Sequence, residues 1–205
     1  MKLSSHFYAM VDPLAGHEPV ELAGLMLEAG ARVLQLRLKE ASGRDFLAAA
    51  RAIAALCQKA DAMLLVNDRV DIAMLSGAAG VHLGQTDLPL RAARKLMGPR
   101  AIIGISTASV EQARIAESGG ADYIGFGPMY PGGAKQNASG KGLAMLREVR
   151  AAVGVPIVAI GGITEQTLPE VLAAGADAAA IISDVVYAAD VAIKVKRILA
   201  LHPAA

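Results

Sequence analysis

Short apolar runs rich in Val, Ile and Leu alternate along this chain with longer segments in which Ala and Leu recur at helical spacing among Arg and Glu. The pattern predicts strands at about 7–12 (FYAMVD), 33–39 (VLQLRLK), 63–68 (MLLVND), 80–84 (GVHLG), 101–106 (AIIGIS), 121–127 (ADYIGFG), 156–162 (PIVAIGG) and 178–183 (AAAIIS), with a helix in every gap. Successive parallel strands need a crossover, and a helix is the usual one, so the strands are expected to be parallel. Closing such a sheet removes its edges, which gives an α/β fold of the (β/α)8 TIM barrel kind, one domain over residues 1–205. The alternative, an open doubly wound sheet, would place a G-x-G-x-x-G after the first strand, and none is there. Glycines at Glu28-Ala29-Gly30-Ala31, Ser118-Gly119-Gly120-Ala121 and Ala174-Gly175-Ala176 fit helix C-caps before strands two, six and eight.

Strands buried on both faces should be apolar throughout, so polar residues within or just after them need a reason. In strand two, Gln35, Arg37 and Lys39 alternate with Leu36 and Leu38 and so share one face. If the leucines pack against helices, the three polar groups point into the barrel mouth. Two cations there would repel and be costly to desolvate unless an anion such as a diphosphate sat between them; an edge strand with a solvated face is the other reading. Asn67 and Asp68 end strand three, and Asp87 follows strand four. Two carboxylates at neighbouring mouths suit Mg²⁺, which takes one or two protein carboxylates and fills its other positions with phosphate oxygens and water. Asp87, before Leu88-Pro89, is also placed to cap a helix.

Ser106-Thr107 ends strand five, where a hydroxyl either donates to a phosphate or caps the next helix. Gly161-Gly162 after strand seven and Ile182-Ser183 after strand eight would let backbone N–H groups approach an anion, at the position where barrels often hold a phosphate. Two anion sites, one assisted by a metal, suit an enzyme that joins two phosphorylated substrates. The long irregular segment from Pro128 to Gly142 follows strand six and lies on the same face.

Composition narrows the partners. Of 205 residues, 20 are Lys or Arg and 19 Asp or Glu, so no broad basic surface is available for nucleic acid or an acidic membrane, and an anion must be met locally. The N-terminus, Met1-Lys2-Leu3-Ser4-Ser5-His6, has no signal-like apolar core, and no run nears the roughly 18 apolar residues of a membrane span. A cytoplasmic protein acting on small phosphorylated molecules is expected. The single cysteine, Cys57, reads as a buried inert thiol.

Seven strings in this order also resemble the thiamine phosphate synthase family: Gln35–Lys39 (QLRLK), Asn67-Asp68-Arg69, Gly80–Asp87 (GVHLGQTD), Gly104-Ile105-Ser106, Ala121–Pro128 (ADYIGFGP), Pro156–Ile163 and Ile182-Ser183. The resemblance implies Mg²⁺-dependent condensation of 4-amino-2-methyl-5-hydroxymethylpyrimidine diphosphate with a thiazole phosphate, giving thiamine phosphate and diphosphate. It implies that the Gln35–Lys39 segment (Gln35, Leu36, Arg37, Leu38, Lys39), Asn67, Ser106 and Lys135 hold the pyrimidine diphosphate, and that Asp68 and Asp87 hold Mg²⁺. Arg37, Lys39 and Lys135 would then draw charge off carbon as catalytic groups, and Gly132, Gly133, Ala134, Gly162, Ile182 and Ser183 would receive the thiazole phosphate. Two positions depart from the family pattern. Gly132-Gly133-Ala134-Lys135 stands where Thr-x-Thr-Lys is usual, and Ala108 where histidine is frequent; both changes touch the acceptor side.

Three rival readings share the barrel. A thiazole tautomerase needs a placed acid or base, and His82 is the one histidine within a strand, where it reads first as a satisfied core residue. A degenerate paralogue would bind thiazole or thiamine phosphates without turnover. A phosphate-sugar isomerase would need no metal.

Overall fold

The computed structural model describes residues 5–131 and 140–201. Its strands are β1 (Phe7–Val11), β2 (Val33–Leu36), β3 (Met63–Asn67), β4 (Gly80–Leu83), β5 (Ile102–Thr107), β6 (Tyr123–Phe126), β7 (Ile157–Ile160) and β8 (Ala178–Ile181). They pair in chain order, and β1 pairs with β8 in parallel to close the barrel. The α-helices are α1 (Pro19–Glu28), α2 (Gly43–Lys59), α3 (Val70–Ser76), α4 (Leu90–Met97), α5 (Val110–Ser118), α6 (Gly142–Ala152), α7 (Leu168–Ala173), α8 (Ser183–Val186) and α9 (Val191–Ala200). All eight expected strands are present, most with trimmed ends, while β5 runs one residue past its expected end to Thr107. Strand two stops at Leu36 rather than Lys39, and strand seven stops before Gly161, whose φ of 99° takes it out of extended geometry.

Local sequence accounts for the elements. In α2, Ser42 accepts from the Asp45 N–H at 3.2 Å, and Phe46, Ala50, Ile53 and Cys57 recur at helical spacing as the buried stripe. Gly30, Gly120 and Gly175 have φ of 109°, 88° and 108°, which ends the helix before β2, β6 and β8 as their positions suggested. Two of these joints carry a further device at the barrel floor. Asp122 accepts from Ile103 N–H at 2.8 Å and Arg94 at 2.6 Å, and Asp177 accepts from Ile157 N–H at 2.8 Å and Arg150 at 3.0 Å. Each aspartate thereby fixes the start of the strand beside its own.

Strand alternation divides the core in two. Phe7, Ala9 and Val11 join the layer between strands and helices, whereas Tyr8 and Met10 join Val33, Leu65, Tyr123, Val158, Ala178 and Ala180 inside the barrel. The interior is crowded by the rings of Tyr8, Tyr123 and His82, and glycines make room for the last two. A Cβ on Gly104 would lie 2.0 Å from Tyr123 Cζ, and one on Gly125 would lie 2.9 Å from His82 Cε1.

Candidate active site

The C-terminal ends of the strands open into a cavity of about 620 Å³ lined by residues from every strand end, a volume that accommodates small-molecule ligands. At one side β1, β2, β3 and β4 contribute charge. Arg37, just past β2, donates to Asp12, just past β1, at 2.5 Å, and Asp12 is 3% exposed. Lys39 pairs with Asp68 and remains half exposed. The cations are thus separated by being matched one to one with protein carboxylates, which corrects the expectation that only a bound anion could reconcile them. Gln35 sits deeper, buried, with its amide nitrogen on the Tyr8 hydroxyl at 2.9 Å.

Leu36 and Leu38 belong to the outer layer with the helices, as their alternation required, and their side chains do not line the cavity. The part in binding that the family string implies for them would have to run through their backbone, since their side chains face the helices.

Asp68 holds a left-handed conformation, φ 64°, and donates its N–H to His82 O at 2.8 Å. Asp is among the few residues that tolerate this region, and strained conformations concentrate at ligand sites. Asp87 accepts from Gly84 N–H at 2.7 Å, closing the turn after β4, while α4 begins at a Pro89 cap with no side-chain bond. The helix-capping reading of Asp87 is therefore set aside. Burial raises the Asp87 carboxyl pKa above its usual range, the adjacent Asp68 carboxyl raises it further, and Lys39 works against both. Two neighbouring carboxylates under that tension fit a divalent cation, and among the described residues no group of three or more His, Cys, Asp or Glu is arranged to hold a metal. A hard cation taking phosphate oxygens and water for its other ligands matches this donor set.

Ser106 lines the cavity and meets His82 Nε2 at 2.8 Å, while Thr107 is buried and donates to Gly125 O at 3.0 Å. The cap of α5 is Ser109 instead, which resolves the two readings of Ser106 and Thr107 against helix capping. His82 is more than a core residue: it borders the cavity with both ring nitrogens occupied, Nδ1 by Tyr123 Oη at 2.9 Å. Burial depresses its pKa to about 4, against a small opposing pull from Asp87, so the ring is neutral at pH 7.

Across the mouth, Gly162, Ile182 and Ser183 line the same cavity, and Asn67 lies on the β3 side. Gly161 and Gly162 have φ of 99° and 69°. Their missing side chains also make room for the chain after β6: a Cβ on Gly161 would lie 2.6 Å from Pro128 Cβ, and one on Gly162 2.9 Å from Tyr130 Cβ. Met129 N–H donates to Ile160 O at 2.9 Å and Tyr130 N–H to Gly161 O at 3.0 Å, so the first residues of the long segment are fastened to the turn after β7. The expected contacts of Gly132, Gly133, Ala134 and Lys135 lie outside the described residues.

A family model described as thiamine monophosphate synthase matches residues 7–185. The chain belongs to the thiamine monophosphate synthase family. Within that family it is 48% identical over 179 residues to the thiamine-phosphate synthase of Methanospirillum hungatei, covering 86% of each chain. It is 45% identical over 194 residues to that of Moorella thermoacetica, covering 94% of this chain and 92% of the relative. Thiamine phosphate pyrophosphorylase from Pyrococcus furiosus superposes with a TM-score of 0.88 at 37% identity, over 95% of this chain and 94% of that one. Family membership agrees with the ordered strings read along the sequence.

Sequence reasoning missed Asp12, Tyr8 and Tyr123. Asp12 carried a usable signal, since it ends the first predicted strand at the same mouth as Asn67-Asp68. The two tyrosines carried none, because nothing in their local sequence says that their hydroxyls meet.

Proposed function

We propose that this chain is a thiamine-phosphate synthase, a transferase that condenses the pyrimidine diphosphate with the thiazole phosphate and releases diphosphate. The observation that carries the reading is the pair Asp68 and Asp87 beside Arg37 and Lys39 on one rim, facing the Gly162 and Ser183 turns across one cavity. In this reading Arg37 and Lys39 hold the diphosphate oxygens and bind them more strongly as charge develops on the leaving group. Lys39, half exposed, has the freedom to turn from Asp68 to phosphate. Lys135 is assigned the same duty by the family string, and Asn67 and Gln35 orient the pyrimidine. Asp68 and Asp87 would hold Mg²⁺, and the ion when bound would neutralise negative charge on the departing diphosphate.

Ser106 directs its hydroxyl at the leaving group. Gly162, Ile182 and Ser183, with Gly132, Gly133 and Ala134 of the long segment, receive the thiazole phosphate, which brings the thiazole nitrogen to the electron-poor carbon. The apolar floor of Met10, Val158, Ile160 and Ala180 keeps water from competing for that carbon. No general base is required for carbon–nitrogen bond formation. Such a biosynthetic step suits a cytoplasmic setting, and among the described residues no helix is long and apolar enough to cross a membrane.

The test is incubation with both substrates and Mg²⁺, with product read as fluorescent thiochrome. Asp68→Ala is expected to abolish turnover, and Arg37→Ala to lower it about 10²- to 10³-fold, the scale of losing one charge-stabilising contact. Tight binding without diphosphate release, or turnover indifferent to both substitutions, refutes the assignment.

A further inference from the structure

A continuous line of side chains crosses the barrel interior beneath the cavity. Gln35 Nε2 lies 2.9 Å from Tyr8 Oη, Tyr8 Oη 2.7 Å from Tyr123 Oη, Tyr123 Oη 2.9 Å from His82 Nδ1, and His82 Nε2 2.8 Å from Ser106 Oγ. The members stand on β2, β1, β6, β4 and β5, so the line exists only in the closed barrel.

Each hydroxyl along it has one proton and each neutral imidazole one N–H, and a hydroxyl oxygen can accept twice, so the direction of the line is set by requiring that every buried O–H and N–H in it find an acceptor. Gln35 presents its amide nitrogen to Tyr8. The Tyr8 oxygen accepts from Gln35, and its own buried O–H finds an acceptor only by donating to Tyr123. Tyr123, having accepted, donates to His82 Nδ1. That nitrogen must be the bare one, which leaves the ring proton on Nε2 to donate to Ser106 Oγ. Ser106 accepts from below and keeps its O–H for the cavity. Were the polarity opposite, Ser106 would spend its proton on His82 and offer only lone pairs upward, where an anion would be repelled. Both tyrosines are fully buried and their pKa values raised, Tyr8 to about 12, so they remain protonated donors at neutral pH.

We infer that Gln35 acts as a positioning residue that sets the direction of this relay, fixing His82 as the Nε2–H tautomer and holding the Ser106 hydroxyl as a donor to the leaving diphosphate. The last clause rests on the proposed synthase reading; the tautomer does not. Tyr8, Tyr123 and His82 are positioning residues in the same sense, each acting through the next.

The experiment is long-range ¹H–¹⁵N correlation NMR of the full chain with ¹⁵N-labelled histidine, His82 being assigned by its loss in His82→Gln. The wild type is expected to show the Nε2–H tautomer alone. Gln35→Met, which removes the donor that sets polarity, is expected to give a mixture of tautomers. Tyr123→Phe is expected to lower kcat for diphosphate release about 10-fold, short of the loss from deleting a donor outright, with KM for the pyrimidine diphosphate changed less than about threefold. An Nδ1–H tautomer in the wild type overturns the inference, as does a Gln35→Met protein that keeps pure Nε2–H or a Tyr123→Phe enzyme with unchanged kcat. The NMR reading needs no turnover, so an Nε2–H ring in a protein that makes no thiamine phosphate would sink the synthase reading and leave the relay standing.

Discussion

Replacing Tyr123 by Phe removes one oxygen that serves two partners, and the cost can be worked from its surroundings. The Tyr123 hydroxyl sits 2.7 Å from Tyr8 Oη and 2.9 Å from His82 Nδ1, in a residue with no exposed surface. Its loss breaks two hydrogen bonds worth about 1 kcal/mol each, and it leaves the Tyr8 O–H without a partner in a dry interior, a penalty of about 1–3 kcal/mol. His82 borders the cavity, so water can relieve its bare nitrogen in part. The sum is about 3–5 kcal/mol, or about 6–20 °C in Tm for a domain of this size. Tyr8→Phe, which orphans the Gln35 Nε2 donor and takes away the hydroxyl that donates to Tyr123, should cost a similar amount. The double variant loses the tyrosine–tyrosine bond once instead of twice, so it should be less destabilised than the sum of the singles by about 1–2 kcal/mol. Urea unfolding of the four proteins, followed by circular dichroism and checked for reversibility, measures the cycle. Strict additivity within about 0.5 kcal/mol would show that the two hydroxyls do not share a bond.

Two further outcomes follow from the same interior. Gly104→Ala drives a methyl group to 2.0 Å from Tyr123 Cζ and should destabilise by about 1–3 kcal/mol or more, whereas Gly24→Ala, in α1 with open space around it, should stabilise by up to about 1 kcal/mol; equal melting shifts would refute the packing argument. His82 has a folded pKa of about 4, against about 6.5 unfolded, so the unfolded chain binds the proton first as pH falls. The stability held by the neutral ring is complete above about pH 6.5 and is lost between there and about pH 4. Tyr123 and Ser106 face the ring without titrating in that window, and Asp87 is the nearby charge. The wild type should lose about 2 kcal/mol more than His82→Gln between pH 7 and 4.5 in denaturant titrations, and parallel losses would contradict the assigned burial.

How far the site could be read from the chain differs residue by residue. Asp68, Asp87, Arg37, Lys39, Gly162 and Ser183 could be placed at one cavity because each stands at or just past a strand end, and all strand ends of a parallel barrel open on one face. Asp87 as a turn former, Thr107 as a buried donor and the Pro128–Tyr130 stem packed on Gly161-Gly162 could not. Each depends on which neighbour the register brings alongside.

The sequence by itself determined the alternation of strand and helix, the glycines that end three helices, and the rim to which each polar residue belongs, because period, capping and position along a strand are local properties. Only the tertiary structure decided that Arg37 would find Asp12 and that Tyr8 would meet Tyr123, 115 residues further along. Those pairings require the ring to close with a particular register, and a side chain buried in its interior has no choice of partner except the ones that closure sets against it.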